Sequence, residues 1–327
     1  MATARSKFDN YIWRALLHWG MKMWGGQKYP RLPHPKDRLQ LEYPVWRDIT
    51  QQMSDIGMNM VIVDVGEGIE YKAHPELAVK GTWTQAKFKD EVNRLKDLGL
   101  EPVPKLNFSA IHDDWLGEYS LMLCTPEYYR VCSDCINEMI DLFEGPRYFH
   151  IGMDEEANAY NQKLNELIVS RRGKVWWHDW NFFVDLIEKR GARAIAWVPS
   201  EDGEDPSEWI SNARKSVVMN TGGYGRTWNL DDADVGYIKQ GYQAIEKLNA
   251  LGYDQLVCGT TWVPGYYKDR HVIGNDVNFP LNVIRAKERI SKEHLLGFMM
   301  APWEVTDEKR REFLKHSIDI VAQSMKV

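Results

Sequence analysis

Eight short apolar runs recur along this chain, each followed by a longer stretch of helical periodicity, and that alternation restricts the possible folds more than any other feature. The runs read as strands at 12–19 (IWRALLHW), 59–65 (NMVIVDV), 101–108 (EPVPKLNF), 148–154 (YFHIGMD), 193–199 (RAIAWVP), 216–222 (SVVMNTG), 254–262 (DQLVCGTTW) and 295–303 (LLGFMMAPW). Strands separated by helices run parallel, because each helix must carry the chain back to the starting edge. Eight such units predict an α/β fold, a single (β/α)8 TIM barrel. The competing architecture, an open doubly wound sheet, usually has fewer strands and a glycine-rich phosphate turn after the first, which HWGMKMWGG does not match. The second helix illustrates the pattern: Thr84 is placed to cap it, Phe88, Val92, Leu95 and Leu98 form its apolar stripe, and Gly99 ends it. Further helices are expected around 125–143, 175–190, 235–251, 278–292 and 308–325, with Trp176, Trp177 and Trp180 assigned to the core. No linker or composition shift divides the chain, so residues 1–11 read as a tail and 12–327 as one barrel.

A net charge of −6 and no lysine- or arginine-rich stripe argue against nucleic acid as a partner. No stretch approaches the roughly 18 uninterrupted apolar residues of a membrane span, and the N-terminus has no apolar leader, so the chain reads as soluble without insertion in a membrane. Its compartment stays open between the cytoplasm and export. Cys132 and Cys135 form one C-x-x-C pair inside a helical stretch, which reads as two buried helix thiols rather than a metal site. No metal and no cofactor is expected.

Barrel enzymes place their chemistry at the C-terminal ends of the strands. Those ends supply His18 and Trp19, Asp64 with Glu67, Asn107, Asp154 with Glu155, Trp197, Asn220 with Tyr224, Trp262, and Trp303 with Glu304. Carboxylates are costly when desolvated, and flat indole and phenol rings stack on the apolar faces of sugars, so the collection suggests a saccharide site. The fourth strand is the most informative, because YFHIGMDEE runs directly from an apolar strand into three acids. Asp154 and Glu155 both reach the mouth only if the strand curls or ends near them. One acid held protonated and one ionised is the pairing that glycosidic cleavage requires. The plainer reading makes Asp154 a helix cap and Glu155 and Glu156 favourable to a helix dipole, with Glu156 a solvated first-turn acid.

The strand HIGMDE at 150–155 resembles the H-x-G-G-D-E strand of family 20 glycoside hydrolases, the β-N-acetylhexosaminidases. The resemblance implies that Glu155 is the acid/base and that Asp154 orients the substrate's 2-acetamido group, which itself attacks the anomeric carbon. Asn59 through Glu67 is similar to the family's N-x7-D-D segment, with Glu67 nearest the acidic position, and Asp64 precedes it. PKLNFSAIH resembles P-E-x-D-x-P-G-H, which implies that His112 links the earlier acid to the catalytic glutamate. LLGFMMAPWE is similar to the family's L-G-x-x-x-x-x-W-x-E ending, implying that Trp303 lines the sugar pocket and Glu304 binds hydroxyls. Tyr267 in YYKD matches a tyrosine that holds the acetamido group, and Arg14 an arginine that binds ring hydroxyls. His150, Asn107, Trp197, Tyr224 and Trp262 complete the candidate sugar-binding set by position.

Departures accompany the matches. Met153 replaces the second glycine, Lys105 and Asn107 replace two acids, His112 falls one residue late, and the family's small domain ahead of the barrel is not seen. Lys105, beside an acidic pair, is a candidate to bind a substrate carboxylate. The implied activity is release of a terminal N-acetylhexosamine or related sugar from a glycan or oligosaccharide end. One alternative is a carbohydrate-binding barrel without turnover. Another is a metal-dependent isomerase or lyase holding a hard cation through His150, Asp154, Glu67 and Asp64.

Overall fold

The computed structural model describes residues 11–22, 37–156, 169–198, 212–226, 236–262 and 275–327, with the backbone alone at 236–240. Eight strands, β1 (Ile12–His18), β2 (Met60–Asp64), β3 (Glu101–Lys105), β4 (Tyr148–His150), β5 (Arg193–Trp197), β6 (Val218–Thr221), β7 (Gln255–Gly259) and β8 (Leu295–Met300), follow chain order around a closed barrel. Every neighbouring pair is parallel, and β8 closes onto β1 through Ile12↔Gly297 to Ala15↔Met300. Seven α-helices lie among the described residues: α1 (Tyr43–Asp55), α2 (Gln85–Asp97), α3 (Pro126–Leu142), α4 (Lys174–Lys189), α5 (Gly236–Ala250), α6 (Asn278–Arg289) and α7 (Arg311–Ser324).

Alternation along each strand separates two cores. Trp13, Ala15 and Leu17 face outward with Val61 and Val63, where they join the helix residues Val45, Trp46 and Ile49 in one buried cluster. Leu16, Met60, Ile62, Val103, Ile195, Val218 and Leu256 form a second cluster that fills the barrel. The helices form as their patterns dictate. Thr84 caps α2 by accepting from the Lys87 amide at 3.3 Å, and Phe88, Val92 and Leu95 turn inward while Leu98 is partly buried at the edge. Trp176 and Trp180 are buried on α4, with Trp177 packed against the same core. Cys132 and Cys135 are buried and reduced in α3, where burial pushes both thiols well up. No helix among the described residues is long and apolar enough to cross a membrane.

All eight strands fall where the apolar runs predict them, but each stops earlier. β4 ends at His150 because Gly152 and Met153 both take left-handed φ, +70° and +63°, which turns the chain out of the sheet. β8 ends at Met300, and Trp303 beyond it has φ +55°. The residues expected at the last strand positions therefore sit on turns at the mouth.

Candidate active site

One layer of the barrel forms the floor of this mouth. His18, Asp64, Lys105 and His150 are consecutive register partners across β1 to β4, so their side chains enter the barrel at one level. Lys105 Nζ is bound to Asp64 Oδ2, and His18 Nδ1 lies 3.3 Å from the same oxygen. Burial would raise the Asp64 carboxyl, but the Lys105 charge and the His18 bond outweigh it and hold it below the ordinary range. Burial lowers His18 in spite of Asp64, and burial with the nearby Lys105 and Arg14 charges holds His150 well below the ordinary histidine value. Both rings are therefore neutral near pH 7. His150 Nδ1 accepts from the Gly152 amide at 3.0 Å, which places its proton on Nε2. Neither that nitrogen nor Trp197 Nε1 has a hydrogen-bond partner among the described residues. The Lys105 charge is matched by Asp64, so the sequence expectation of a lysine left for a substrate carboxylate is corrected here.

Above the floor stands the acidic pair. Asp154 Oδ1 accepts from Asn107 Nδ2 and from Ser109 Oγ, both at 3.0 Å. The Asn107 side-chain oxygen Oδ1 in turn accepts from the Ser109 amide (3.1 Å) and the Met153 amide (3.3 Å) and lies 2.9 Å from Ser109 Oγ, whose one proton it shares with Asp154. His112 Nε2 lies 3.0 Å from Glu155 Oε2 and 3.5 Å from Asp154 Oδ2. Burial alone would lower His112, but the Asp154 charge and the Glu155 hydrogen bond raise it to about 9, so the ring is an imidazolium at neutral pH. Both carboxylates remain about a quarter exposed, open to a ligand in the mouth.

An aromatic wall faces them. Trp303 lies 5.6 Å from Trp197, 6.2 Å from Tyr224 and 5.9 Å from His18, centroid to centroid, and Trp197 lies 5.3 Å from His150. Asn220 is buried as the register partner of Trp197. Trp262 is half-buried just past β7, its amide bonded to Thr260 Oγ1 at 2.9 Å. Glu304 is partly buried 3.4 Å from Arg310, and burial raises its carboxyl against the pull of that arginine. Tyr267 lies outside the described residues.

Several residues are placed differently from expectation. Arg14 is level with Met60 and Met299, on the interior face below Leu16 and His18, and burial lowers its guanidinium to about 9. The structure does not bring it to the mouth with the others. Glu67 is buried beyond β2, where it accepts from the Met21 amide at 2.8 Å and the Lys22 amide at 3.0 and 3.1 Å. It thus holds the chain leaving β1. Trp19 packs in the outer core against Trp46, Trp83 and Phe88. Glu156, expected to be solvated, is instead paired with the buried Arg171 at 2.6 Å. Ser109 and Arg171 were missed by sequence reasoning; a serine two residues past Asn107 in a strand-end loop was a usable signal, whereas nothing near Arg171 marks it. Asp64, Glu67, Asp154 and His150 do not converge as a cation cage, and no group of three or more such ligands occurs among the described residues.

The fold and the mouth define a (β/α)8 barrel whose C-terminal face carries a histidine-braced acidic pair opposite an aromatic wall. No family model matches the sequence, and no curated protein matches it in sequence. Solved structures do match as folds. A β-N-acetylhexosaminidase from Bacteroides fragilis superposes with a TM-score of 0.63 at 16% identity, covering 96% of this chain and 65% of that one. A Streptomyces plicatus β-hexosaminidase in complex with GlcNAc gives 0.64 at 13%, covering 98% and 64%. Dispersin B gives 0.57 at 12%, covering 88% and 94%. The chain thus spans just under two thirds of the first two structures' length, and nearly all of dispersin B's.

Proposed function

We propose that this chain is a glycoside hydrolase that releases a terminal N-acetylhexosamine or related sugar from a glycan or oligosaccharide end. The observation that carries the reading is His112, one imidazolium nitrogen held between Glu155 and Asp154 while Asn107 and Ser109 fix the other Asp154 oxygen. In this reading Asp154 accepts the N–H of the substrate's 2-acetamido group and turns its carbonyl oxygen toward the anomeric carbon. Glu155 takes up the proton that it shares with the His112 imidazolium and passes it to the departing glycosidic oxygen as the bond from that oxygen to the anomeric carbon breaks, while the acetamido oxygen forms the new bond to carbon. Water then attacks that carbon from the vacated side, displacing the acetamido oxygen and delivering its proton to Glu155, and the configuration is retained. The aromatic wall of Trp197, Tyr224 and Trp303 excludes water and stacks on the sugar. The fold likeness to hexosaminidases supports this reading, as does the resemblance of HIGMDE at 150–155 to the family's strand.

A second reading, binding without turnover, draws on one observation. The Glu67 carboxylate is occupied by the Met21 and Lys22 amides, so it is not the acid that would back His112. Aryl glycosides of N-acetylglucosamine, N-acetylgalactosamine, galactose, glucose and glucuronic acid, tested with wild type and Glu155→Gln, separate the two. Release of an acetamido sugar that falls by roughly a thousandfold in Glu155→Gln supports the hydrolase. Release of a different sugar rejects substrate assistance, and sugar binding without release favours the second reading.

A further inference from the structure

Arg171 belongs to none of the sequence motifs, yet it joins four segments around the acidic pair. Its side chain is 1% exposed. Nη2 donates to Glu156 Oε1 at 2.6 Å and to the Phe108 carbonyl, and Nε donates to Glu156 Oε2 at 3.2 Å. Nη1 donates to Asp179 Oδ2 on α4 at 3.0 Å and to the Tyr128 hydroxyl on α3 at 3.5 Å. The Arg171 amide adds a bond to Glu156 Oε2 at 3.1 Å. The carbonyl it grips is placed with purpose, because Phe108 lies between Asn107 and Ser109, whose side chains hold Asp154. Glu156 directly follows Glu155. One cation therefore ties the backbone carrying the Asp154 donors to the segment carrying the acids themselves.

We propose that Arg171 is a positioning residue that sets the distance of Asp154 and Glu155 from His112 by clamping the β3 and β4 loops together. Its two carboxylate partners outnumber its single charge, and Asp179 is held independently by Tyr129 Oη and by His178 Nδ1 at 3.1 Å. Removing Glu156 consequently leaves Arg171 with a counter-ion and avoids stranding a buried charge. The proposal rests on the hydrolase reading for its catalytic consequence but not for its geometric one.

The experiment uses the full chain bearing Glu156→Ala, with Arg171→Lys as a second variant that keeps the charge but loses the planar fork. Three quantities are measured: cooperative thermal unfolding, the His112 titration followed by its ring-proton NMR resonances, and kcat with KM on an aryl N-acetylhexosaminide. With the clamp released in a folded protein, the His112 midpoint should fall from about 9 toward roughly 6.5, as the carboxylates drift from the ring. kcat should fall by about tenfold or more with KM within about twofold, since misplaced catalytic groups cost the transition state more than binding. Arg171→Lys should give a smaller fall in both. An unchanged His112 midpoint in folded Glu156→Ala overturns the proposal, whatever the activity. If wild type cleaves no glycoside, the hydrolase reading fails while the titration still decides whether the clamp exists.

Discussion

His112 is the residue on which charge balance at the mouth turns. Its Nε2 faces two carboxylates, and their attraction exceeds the burial penalty, raising the ring to about 9 against roughly 6.5 for a free histidine. A group whose folded value lies above its unfolded one stabilises fully below the unfolded value, and the contribution disappears as pH rises through the folded value. The rise corresponds to on the order of 3 kcal/mol. Wild type and His112→Asn should therefore differ most in stability near pH 6, with the gap narrowing between about pH 6.5 and 9. Thermal unfolding of both proteins across pH 5.5–10 measures this, and a gap independent of pH would remove the imidazolium. His18 and His150 below, both held under the ordinary value chiefly by burial, act in the opposite sense, since stability is lost as pH falls below roughly 6.5, and being common to both proteins they cancel in the comparison.

The element that turns these side chains into a site is the short exit from β4. Gly152 has φ +70°, and a Cβ built there would lie 2.0 Å from Asn107 Oδ1 and 2.9 Å from Asn107 Cα. Gly152→Ala must displace the asparagine that holds Asp154, in a backbone conformation that alanine itself disfavours. A stability loss of roughly 2–3 kcal/mol and a fall in turnover of at least about tenfold are expected. Denaturant unfolding with kcat on the same preparation tests this, and full activity at unchanged stability would show that the cradle is not needed. The same turn explains what was legible in the sequence. Strand positions follow from apolar runs, but strand ends depend on left-handed turns at Gly152, Met153 and Trp303 that hydrophobic pattern does not encode. Asp154 and Glu155 were legible as neighbours at the end of an apolar run, whereas His112, 42 residues before Asp154, came in only through its resemblance to the family's histidine. Arg171 was not, because the Phe108 carbonyl is 63 residues away, and Glu67 was misread because its amide partners lie 45 and 46 residues off. Arg14 matched a motif and shares the interior face with His18, yet it is level with Met60 at the start of β2, whereas His18 is level with Asp64 at its end, so depth along the strand keeps it from the mouth.

At the scale of the whole molecule, the barrel holds only if β8 closes onto β1, and that seam depends on one position. The β7 ladder skips from Leu295 to Gly297, so Leu296 is the extra residue of a bulge. Gly297 follows with φ +153°, and a Cβ there would lie 2.0 Å from the Ile12 carbonyl oxygen and 2.6 Å from its nitrogen. Both obstacles are backbone, so no side-chain rotation relieves them, and Gly297→Ala must push β8 away from β1. The seam at Ile12↔Gly297 lies at the N-terminal face, whereas His18 and Trp303 stand at the other end of the same two strands. In barrels the N-terminal face serves stability and the C-terminal face serves chemistry. Gly297→Ala should accordingly lower stability by on the order of 3 kcal/mol, a melting-point drop of roughly 4–5 °C for a chain of 327 residues, while KM for the cleaved glycoside stays within about twofold at low temperature. An unchanged melting temperature would mean that the seam relaxes without cost. A KM that rises along with the loss of stability would mean instead that strain at one end of the barrel reaches the aromatic wall at the other, and that the two faces are mechanically coupled.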